Sequence, residues 1–132
     1  MDICDRLTRY SKGARTEREL IDMLHSASYS VMRAAGSGVS SLSPDVIAVK
    51  DGSGYAFECK AWESTSLTIE PDRFEALKEW ERNTHMKTFV AWRMNGKPWL
   101  LIKPDEMSMA EKNYTITRKN ALKIGRYISE LL

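Results

Sequence analysis

The sequence predicts an α/β fold in which helices cover the faces of a mixed β-sheet. Two observations lead to this prediction. Apolar residues recur at helical spacing in three segments, and short runs of β-branched and aromatic residues lie between those segments. Most of the runs are joined by glycine-containing turns of the kind that link antiparallel strands. The predicted element order is α-β-β-β-α-β-β-α, which is typical of a small α/β sandwich.

Three helices and five strands account for these patterns. The helices are predicted from about Lys12 to Ser28, from Pro71 to about Asn83 and from about Thr117 to the end of the sequence. The strands are predicted over residues 29–33, 45–50, 55–61, 88–94 and 98–103. The connections are predicted to be a glycine- and serine-rich loop over 34–43, hairpin turns over 51–54 and at Asn95-Gly96, a mobile loop over 62–70, and a turn or short helix over 104–109.

Length and composition favour one domain inside the cell. The 132 residues suffice for a single hydrophobic core, and no segment approaches the roughly 18 apolar residues that a membrane-spanning helix needs. The first residues include acids and no apolar run, so a secretory signal peptide is not expected. With two cysteines and no CxxC motif, neither a disulfide framework nor a structural zinc site is expected. We therefore expect one domain over residues 1–132 with no membrane contact.

Basic residues are concentrated near the two ends of the chain, although the net charge is only +2. The two groups are Arg6, Arg9, Lys12, Arg15 and Arg18 near the start, and Arg118, Lys119, Lys123 and Arg126 near the end. Such groups can bind phosphates even when a protein is nearly neutral overall. Solvated helix faces explain the same pattern, so both interpretations stay open.

One set of charged residues points to chemistry. Asp45 begins a predicted strand, and Glu58 and Lys60 lie on the strand that returns after the hairpin. Because side chains alternate along a strand, Glu58 and Lys60 share one face, while Phe57 and Cys59 point to the other face, toward the core. Counting outward from the turn places Asp45 opposite residue 60, and therefore close to Glu58.

Two carboxylates as close as Asp45 and Glu58 repel one another unless a cation lies between them. Mg²⁺ prefers oxygen ligands and binds through one or two carboxylates together with a substrate phosphate. Lys60 could then orient the attacking water or stabilise charge on the phosphate. Glu17, at the edge of the first helix's buried stripe, is the candidate for a third carboxylate. Each part taken alone also fits a solvated surface, but the combination predicts metal-dependent hydrolysis of a phosphodiester.

Four runs in a fixed order give the chain a family resemblance. They are KGARTERELIDML (12–24), VMRAAGSG (31–38), SPDVIAVKDG (43–52) and FECK (57–60). In this order they resemble the archaeal Holliday junction resolvases, a family of the PD-(D/E)xK nuclease superfamily, over roughly residues 11–107. The resemblance implies a restriction-endonuclease-like αβββαβ core, in which helices flank a mixed central sheet, followed by C-terminal elements.

The resemblance also implies a function and a set of roles. The family acts as a homodimer that nicks opposing strands of a four-way DNA junction, with Mg²⁺ or Mn²⁺ as cofactor. Glu17, Asp45 and Glu58 would be the acidic residues of the metal site, Lys60 the catalytic lysine, and Ser37 an assistant to cleavage. The candidates for DNA contact are Lys12, Arg18, Arg33, Gly36, Gly38 and Arg73. Such an enzyme would work in the cytoplasm, associated with the nucleoid.

Several of these roles have structural alternatives. Arg18 could pair with Asp22 one helical turn later, and Arg33 could only protect an edge strand. Ser37 could simply suit a loop between two glycines. The large apolar residues that could form a dimer interface, or equally the core, are Phe74, Trp80, Trp92 and Trp99.

The sequence departs from the family pattern in two places. Arg73 occupies a position where the family often has a glutamine, and about ten extra residues precede Lys12. Residues 1–11 are expected to be either a flexible basic arm or a frayed end. Two other functions also remain open: a nuclease of the same core that cuts ordinary duplex DNA, and a junction-binding protein without catalysis. The intact set of Asp45, Glu58 and Lys60 argues against the second.

Overall fold

The computed structural model describes the backbone of residues 3–34 and 42–132 and the side chains of residues 15–34 and 42–132. In this part of the chain the helices are α1 (Ile3–Ser26), α2 (Pro71–Thr84) and α3 (Arg118–Ile124). The strands are β1 (Ser30–Arg33), β2 (Val46–Lys50), β3 (Ser53–Lys60), β4 (Ser66–Ile69), β5 (Lys87–Trp92), β6 (Leu100–Ile102), β7 (Ser108–Ala110) and β8 (Asn113–Thr117). Short 3₁₀ turns lie at Pro104–Glu106 and Ile128–Glu130.

The central sheet has five strands in the order β1-β2-β3-β5-β6. Strands β3 and β5 are parallel, and every other neighbouring pair is antiparallel, so the predicted mixed sheet is confirmed. The β2–β3 hairpin turns over only two residues, Asp51 and Gly52, which both adopt positive φ angles of 53° and 79°. This matches the tight turns that suit the twist of a hairpin. It brings Val46 opposite Phe57, and therefore Asp45 beside Glu58.

Apolar clusters cover both faces of the central sheet. On the α1 face, Leu20 and Leu24 pack with Phe57 and Phe89, and Cys59 lies against this cluster. On the opposite face, α2 and α3 cover a cluster that includes Phe74, Leu77, Val90, Trp92 and Ala121. The predicted alternation of β3 is therefore confirmed, with Phe57 and Cys59 toward one core. Of the four large residues that were candidates for an interface, Phe74, Trp92 and Trp99 are buried in the core and Trp80 is half-buried.

A second, three-stranded sheet, in the order β4-β8-β7, was not predicted. The segment 62–70, expected to be a loop, contains β4, whose Leu67 and Ile69 are buried. The final helix was predicted to run to the end of the sequence, but α3 stops at Ile124. Gly125 takes a φ of +60° and donates its backbone N–H to the carbonyl of Ala121, which ends the helix. None of the helices in the described ranges is long and apolar enough to cross a membrane.

Helix α1 starts earlier than the sequence predicted. Its backbone is helical from Ile3, so the segment expected to be an arm or a frayed end continues the first helix from that residue onward. The sequence between Ile3 and Lys12 contains no proline or glycine that would end a helix. The side chains of this segment, including that of Lys12, lie outside the described residues.

Candidate active site

The hairpin of β2 and β3 places two carboxylates side by side. Asp45 directly precedes β2, and its backbone N–H donates to the carbonyl of Phe57 at 2.9 Å. The Asp45 carboxylate accepts the backbone N–H of Cys59 at 2.8 Å. This bond holds the carboxylate against β3, next to Glu58, whose pKa responds to the charge of Asp45. The sequence thus predicted the Asp45–Glu58 pair correctly, although it placed Asp45 opposite residue 60.

Glu58 is a buried carboxyl group with an altered proton affinity. Only 4% of the residue is exposed, and its pKa is raised to about 8. Burial is the largest cause, followed by the charge of Asp45, and the opposing effects of Lys60 and Arg73 are too weak to cancel them. At neutral pH Glu58 therefore favours its protonated, neutral form.

The pair fits a hard divalent cation by the chemistry of its donors. Carboxylate oxygens are the ligands that Mg²⁺ prefers, and one or two of them commonly suffice when a substrate phosphate completes the set. Either a proton on Glu58 or a bound cation offsets the repulsion between the carboxylates of Asp45 and Glu58. These two residues would hold a metal ion here.

Lys60 lies on the same face of β3 as Glu58, two residues further along the strand. Its ammonium nitrogen lies 5.3 Å from the ring centroid of Trp62. No ion pair within 4.0 Å joins Lys60 to Asp45 or Glu58, and all three side chains belong to the described part of the chain. The ammonium group is thus beside the carboxylate pair without being bonded to it.

Glu17 does not lie with the other two carboxylates. Its Oε1 accepts a bond of 2.6 Å from Nε of Arg33, so that α1 and β1 are joined by an ion pair. Among the described residues, no group of three His, Cys, Asp or Glu side chains could hold a metal ion. The structure therefore brings together two of the three predicted acidic residues. Helical spacing located Glu17 at the edge of the core but did not reveal Arg33 as its partner.

The Cys59 thiol lies close enough to Glu17 and to the Asp45–Glu58 pair to be affected by the charges of all three carboxylates. Burial, followed by the charges of Asp45, Glu17 and Glu58, raises the pKa of the Cys59 thiol well above its usual range. The thiol packs against the apolar cluster under α1, within range of the charges of Glu17 and of the pair. Cys59 is thus a neutral, half-buried thiol at the edge of the core, where the sequence suggested a buried one.

Arg73, predicted to contact DNA, reaches the carboxylate pair instead. Its Nη1 lies 3.8 Å from Oε2 of Glu58 and donates to the carbonyl of Ser43 at 3.3 Å. Arg73 is the third residue of α2, and its guanidinium bridges that helix and the segment that leads into Asp45. This contact across the sheet could not be read from the sequence, which gave only a basic residue near the start of α2.

Of the other residues predicted to contact DNA, Arg18 and Arg33 have described side chains. Arg18 is exposed on α1, and no ion pair within 4.0 Å joins it to Asp22, both of which are described. Gly36, Ser37, Gly38 and the side chain of Lys12 lie outside the described residues. In the C-terminal basic group, Arg126 makes two bonds to Glu106, of 2.7 and 3.0 Å, and Arg118 lies 3.7 Å from Glu63. That group is therefore partly neutralised within the protein.

Arg73→Gln is expected to raise the pKa of Glu58 above its wild-type value. The guanidinium favours the ionised carboxylate, and glutamine removes that positive charge. NMR titration of the Glu58 side-chain carboxyl carbon in metal-free buffer measures the change. Arg82→Gln, an exposed arginine in the last turn of the same helix, is the matched control and should leave the titration unchanged. An unchanged or lower pKa in Arg73→Gln would show that the guanidinium does not stabilise the ionised form of Glu58.

The chain is similar to known nucleases along nearly its whole length. A family model described as the archaeal Holliday junction resolvase (Hjc) matches residues 8–131. The crossover junction endodeoxyribonuclease Hjc of Archaeoglobus fulgidus is 31% identical over 122 residues, which is 92% of this chain and 89% of that protein. The protein of the same name from Methanocaldococcus jannaschii is 35% identical over 112 residues, which is 84% of this chain and 80% of that protein.

A solved structure matches as well. The crystal structure of Archaeoglobus fulgidus Hjc, described as a Holliday junction resolvase from an archaeal hyperthermophile, superposes with a TM-score of 0.80 at 27% identity. The match covers 91% of this chain and 94% of that one. The predicted fold class is thereby confirmed.

Proposed function

The chain belongs to the archaeal Holliday junction resolvase family, and we propose that it resolves four-way DNA junctions by metal-dependent hydrolysis of paired phosphodiester bonds. The observation that carries this proposal is the pair of neighbouring carboxyl groups of Asp45 and Glu58, with Lys60 on the same strand face. Two carboxylates and a lysine at one end of a sheet suit hydrolysis of a phosphodiester, since they can hold a cation and oppose negative charge.

Asp45 and Glu58 would bind the metal ion, for which we propose Mg²⁺, with Mn²⁺ as a substitute. When bound, such an ion polarises the scissile phosphate and lowers the pKa of a bound water. Glu58 must lose its proton for both carboxylates to bind a cation at full charge. Lys60 places a positive charge beside the phosphate and opposes the charge that develops there during hydrolysis. We also propose that Glu17 supplies a third carboxylate to the metal site and that Ser37 assists cleavage.

The symmetry of the proposed substrate suggests a homodimer. A four-way junction has approximate two-fold symmetry, and its resolution needs two paired nicks, so a two-fold dimer with one site in each subunit suits it.

We propose Lys12, Arg18 and Arg33, together with the backbone of Gly36 and Gly38, as phosphate contacts. Arg73 is proposed for the carboxylate pair rather than for DNA, on the strength of its contact with Glu58. A DNA-processing nuclease would work where the chromosome is, so an intracellular, nucleoid-associated location is proposed.

Arg18→Gln should weaken junction binding and reduce its dependence on salt. Each phosphate contact that is lost lowers the slope of log K against log salt concentration by about 0.9. A gel-shift titration in EDTA at several salt concentrations measures this slope. Lys87→Gln is the control, because Lys87 is exposed at the start of β5, at the end of the sheet remote from Glu58. Equal slopes in wild type and Arg18→Gln would remove Arg18 from the set of phosphate contacts.

Cleavage of a synthetic four-way junction, compared with linear duplexes of the same sequences, tests the proposed function. With Mg²⁺ we expect symmetric nicks near the branch point of the junction alone, and none in EDTA. Equal cutting of the duplexes would favour a duplex nuclease built on the same core. Junction binding without nicking under Mg²⁺ or Mn²⁺ would favour a non-catalytic junction-binding protein.

A further inference from the structure

An exposed tryptophan lies next to the candidate catalytic lysine. Trp62 follows Lys60 by two residues and is 39% exposed. Among the large hydrophobic side chains that are exposed in the described part of the chain, Trp62 is the one aromatic; the others are Met32, Leu42, Val49, Met109, Ile124 and Leu132. This large indole therefore lies partly in water directly beside the candidate active site.

The backbone that carries Trp62 is fixed at two points. The indole N–H of Trp92, which is fully buried, donates to the carbonyl of Trp62 at 3.0 Å. The backbone N–H of Arg93 donates to the carbonyl of Lys60 at 2.8 Å. The chain on either side of Ala61 is therefore tied to the end of β5, and the indole projects from a fixed backbone beside the active site.

The ring of Trp62 is the observed partner of the Lys60 ammonium. The nitrogen lies 5.3 Å from the ring centroid, inside the distance of about 6 Å at which a cation is attracted to an aromatic face. The alternative partners are close, because Glu58 shares the strand face and Asp45 lies beside Glu58. A lysine has a flexible stem, and without the ring its ammonium could pair with the same carboxylate oxygens that a divalent cation needs.

We propose that Trp62 is a positioning residue that holds the Lys60 ammonium beside the Asp45–Glu58 pair rather than on it. The carboxylate oxygens are then left for the divalent cation, and the ammonium is left for the phosphate. This inference rests on the proposed function, in which Lys60 acts on the scissile phosphate. It assigns to Trp62 an effect on the cleavage step and on the metal requirement, and no direct part in junction binding.

The contact itself is tested first, in the metal-free protein without DNA. Protons held over an aromatic ring are shifted upfield in NMR spectra, so the ε-methylene of Lys60 should be shifted upfield in wild type and in Trp62→Phe. In Trp62→Leu the shift should be lost. Thermal unfolding identifies any variant that fails to fold. In that case the wild-type spectrum by itself shows whether Lys60 lies over the ring of Trp62. A Lys60 methylene at its ordinary position in wild type would overturn the proposal.

The consequence for cleavage is tested under single-turnover conditions with a four-way junction and increasing Mg²⁺. In Trp62→Leu we expect the cleavage rate at saturating Mg²⁺ to be about tenfold lower than in wild type, and the Mg²⁺ concentration at half-maximal rate to be higher. The junction Kd in EDTA should stay within about twofold of the wild-type value. Trp62→Phe should recover most of the rate. Met109→Leu, an exposed residue of β7, is the control and should match wild type.

Two outcomes of the cleavage experiment would contradict the proposal. A loss confined to the junction Kd, with an unchanged rate, would mean that the indole stacks on a base instead of positioning Lys60. An unchanged rate and Mg²⁺ requirement in Trp62→Leu would mean that Lys60 needs no such support. If wild type cleaves no junction, the proposed function fails, whereas the NMR shift of Lys60 still reports separately whether the contact exists.

Discussion

Asp45→Asn is expected to lower the rate of junction cleavage by a factor on the order of 10³ or more while junction binding is retained. Asparagine has the shape of aspartate and still offers an oxygen to the backbone N–H of Cys59, which now donates to Asp45 at 2.8 Å. The strand end should therefore keep its geometry. What the variant loses is the negative charge that a divalent cation needs beside Glu58.

The measurement is single-turnover cleavage of a labelled junction with Mg²⁺, together with a gel-shift titration in EDTA. Asp51→Asn is the matched control, because Asp51 is exposed in the turn at the other end of β2 and asparagine accepts its positive φ of 53°. Binding by Asp45→Asn should equal that of wild type or exceed it, since a negative charge near the phosphate is removed. A rate within tenfold of wild type would show that cleavage does not depend on this carboxylate.

Glu58→Gln is expected to stabilise the metal-free protein at alkaline pH. The pKa of Glu58 is about 8 in the folded protein, against an ordinary value of 4.5, so the folded state binds the proton more tightly than the unfolded chain. Between these two values the unfolded state binds fewer protons, and wild-type stability falls as pH rises. The fall reaches up to about 1.4 kcal/mol for each pH unit in this window. Glutamine, which does not titrate, removes this contribution.

Denaturant unfolding in EDTA at several pH values between 5 and about 9 measures this difference. The free energy of unfolding of Glu58→Gln, relative to wild type, should increase across the window and level off above about pH 8. Adding Mg²⁺ should narrow the gap, because a cation replaces the proton as the partner of the pair. Glu79→Gln, an exposed glutamate of α2, serves as the control. A constant difference at all pH values would mean that Glu58 titrates normally.

The parts of the site that the sequence predicted depend on local rules. Alternation along β3 put Glu58 and Lys60 on one face, and a hairpin had to return the chain next to Asp45. The register was two residues off, because the turn closes over Asp51 and Gly52 alone instead of four residues. A shift of two keeps every side chain on its predicted face, which is why the Asp45–Glu58 pair was still correct.

The contacts that the sequence missed connect elements far apart in the chain. Arg33 reaches Glu17 from β1, and Arg73 reaches Glu58 from α2, and neither spacing follows a helical or strand period. Strand β4 was missed because its four residues alternate too briefly to stand out, and it is stabilised by pairing with β8, about 50 residues later. Such pairings depend on the whole fold, so a single sequence shows the participants without showing the partners.

Cleavage of a supercoiled plasmid with an extruded cruciform reports the paired nicks and the proposed active site in one experiment. Wild-type protein with Mg²⁺ should convert the plasmid directly to the linear form, since the first nick alone releases supercoiling and removes the cruciform. Wild type mixed with excess Asp45→Asn should give open circles instead, from dimers with one working site. Linear product from Asp45→Asn alone would contradict the role of this carboxylate in cleavage. A mixture that gives a reduced amount of linear product and no open circles would contradict paired nicking by a dimer with one site in each subunit.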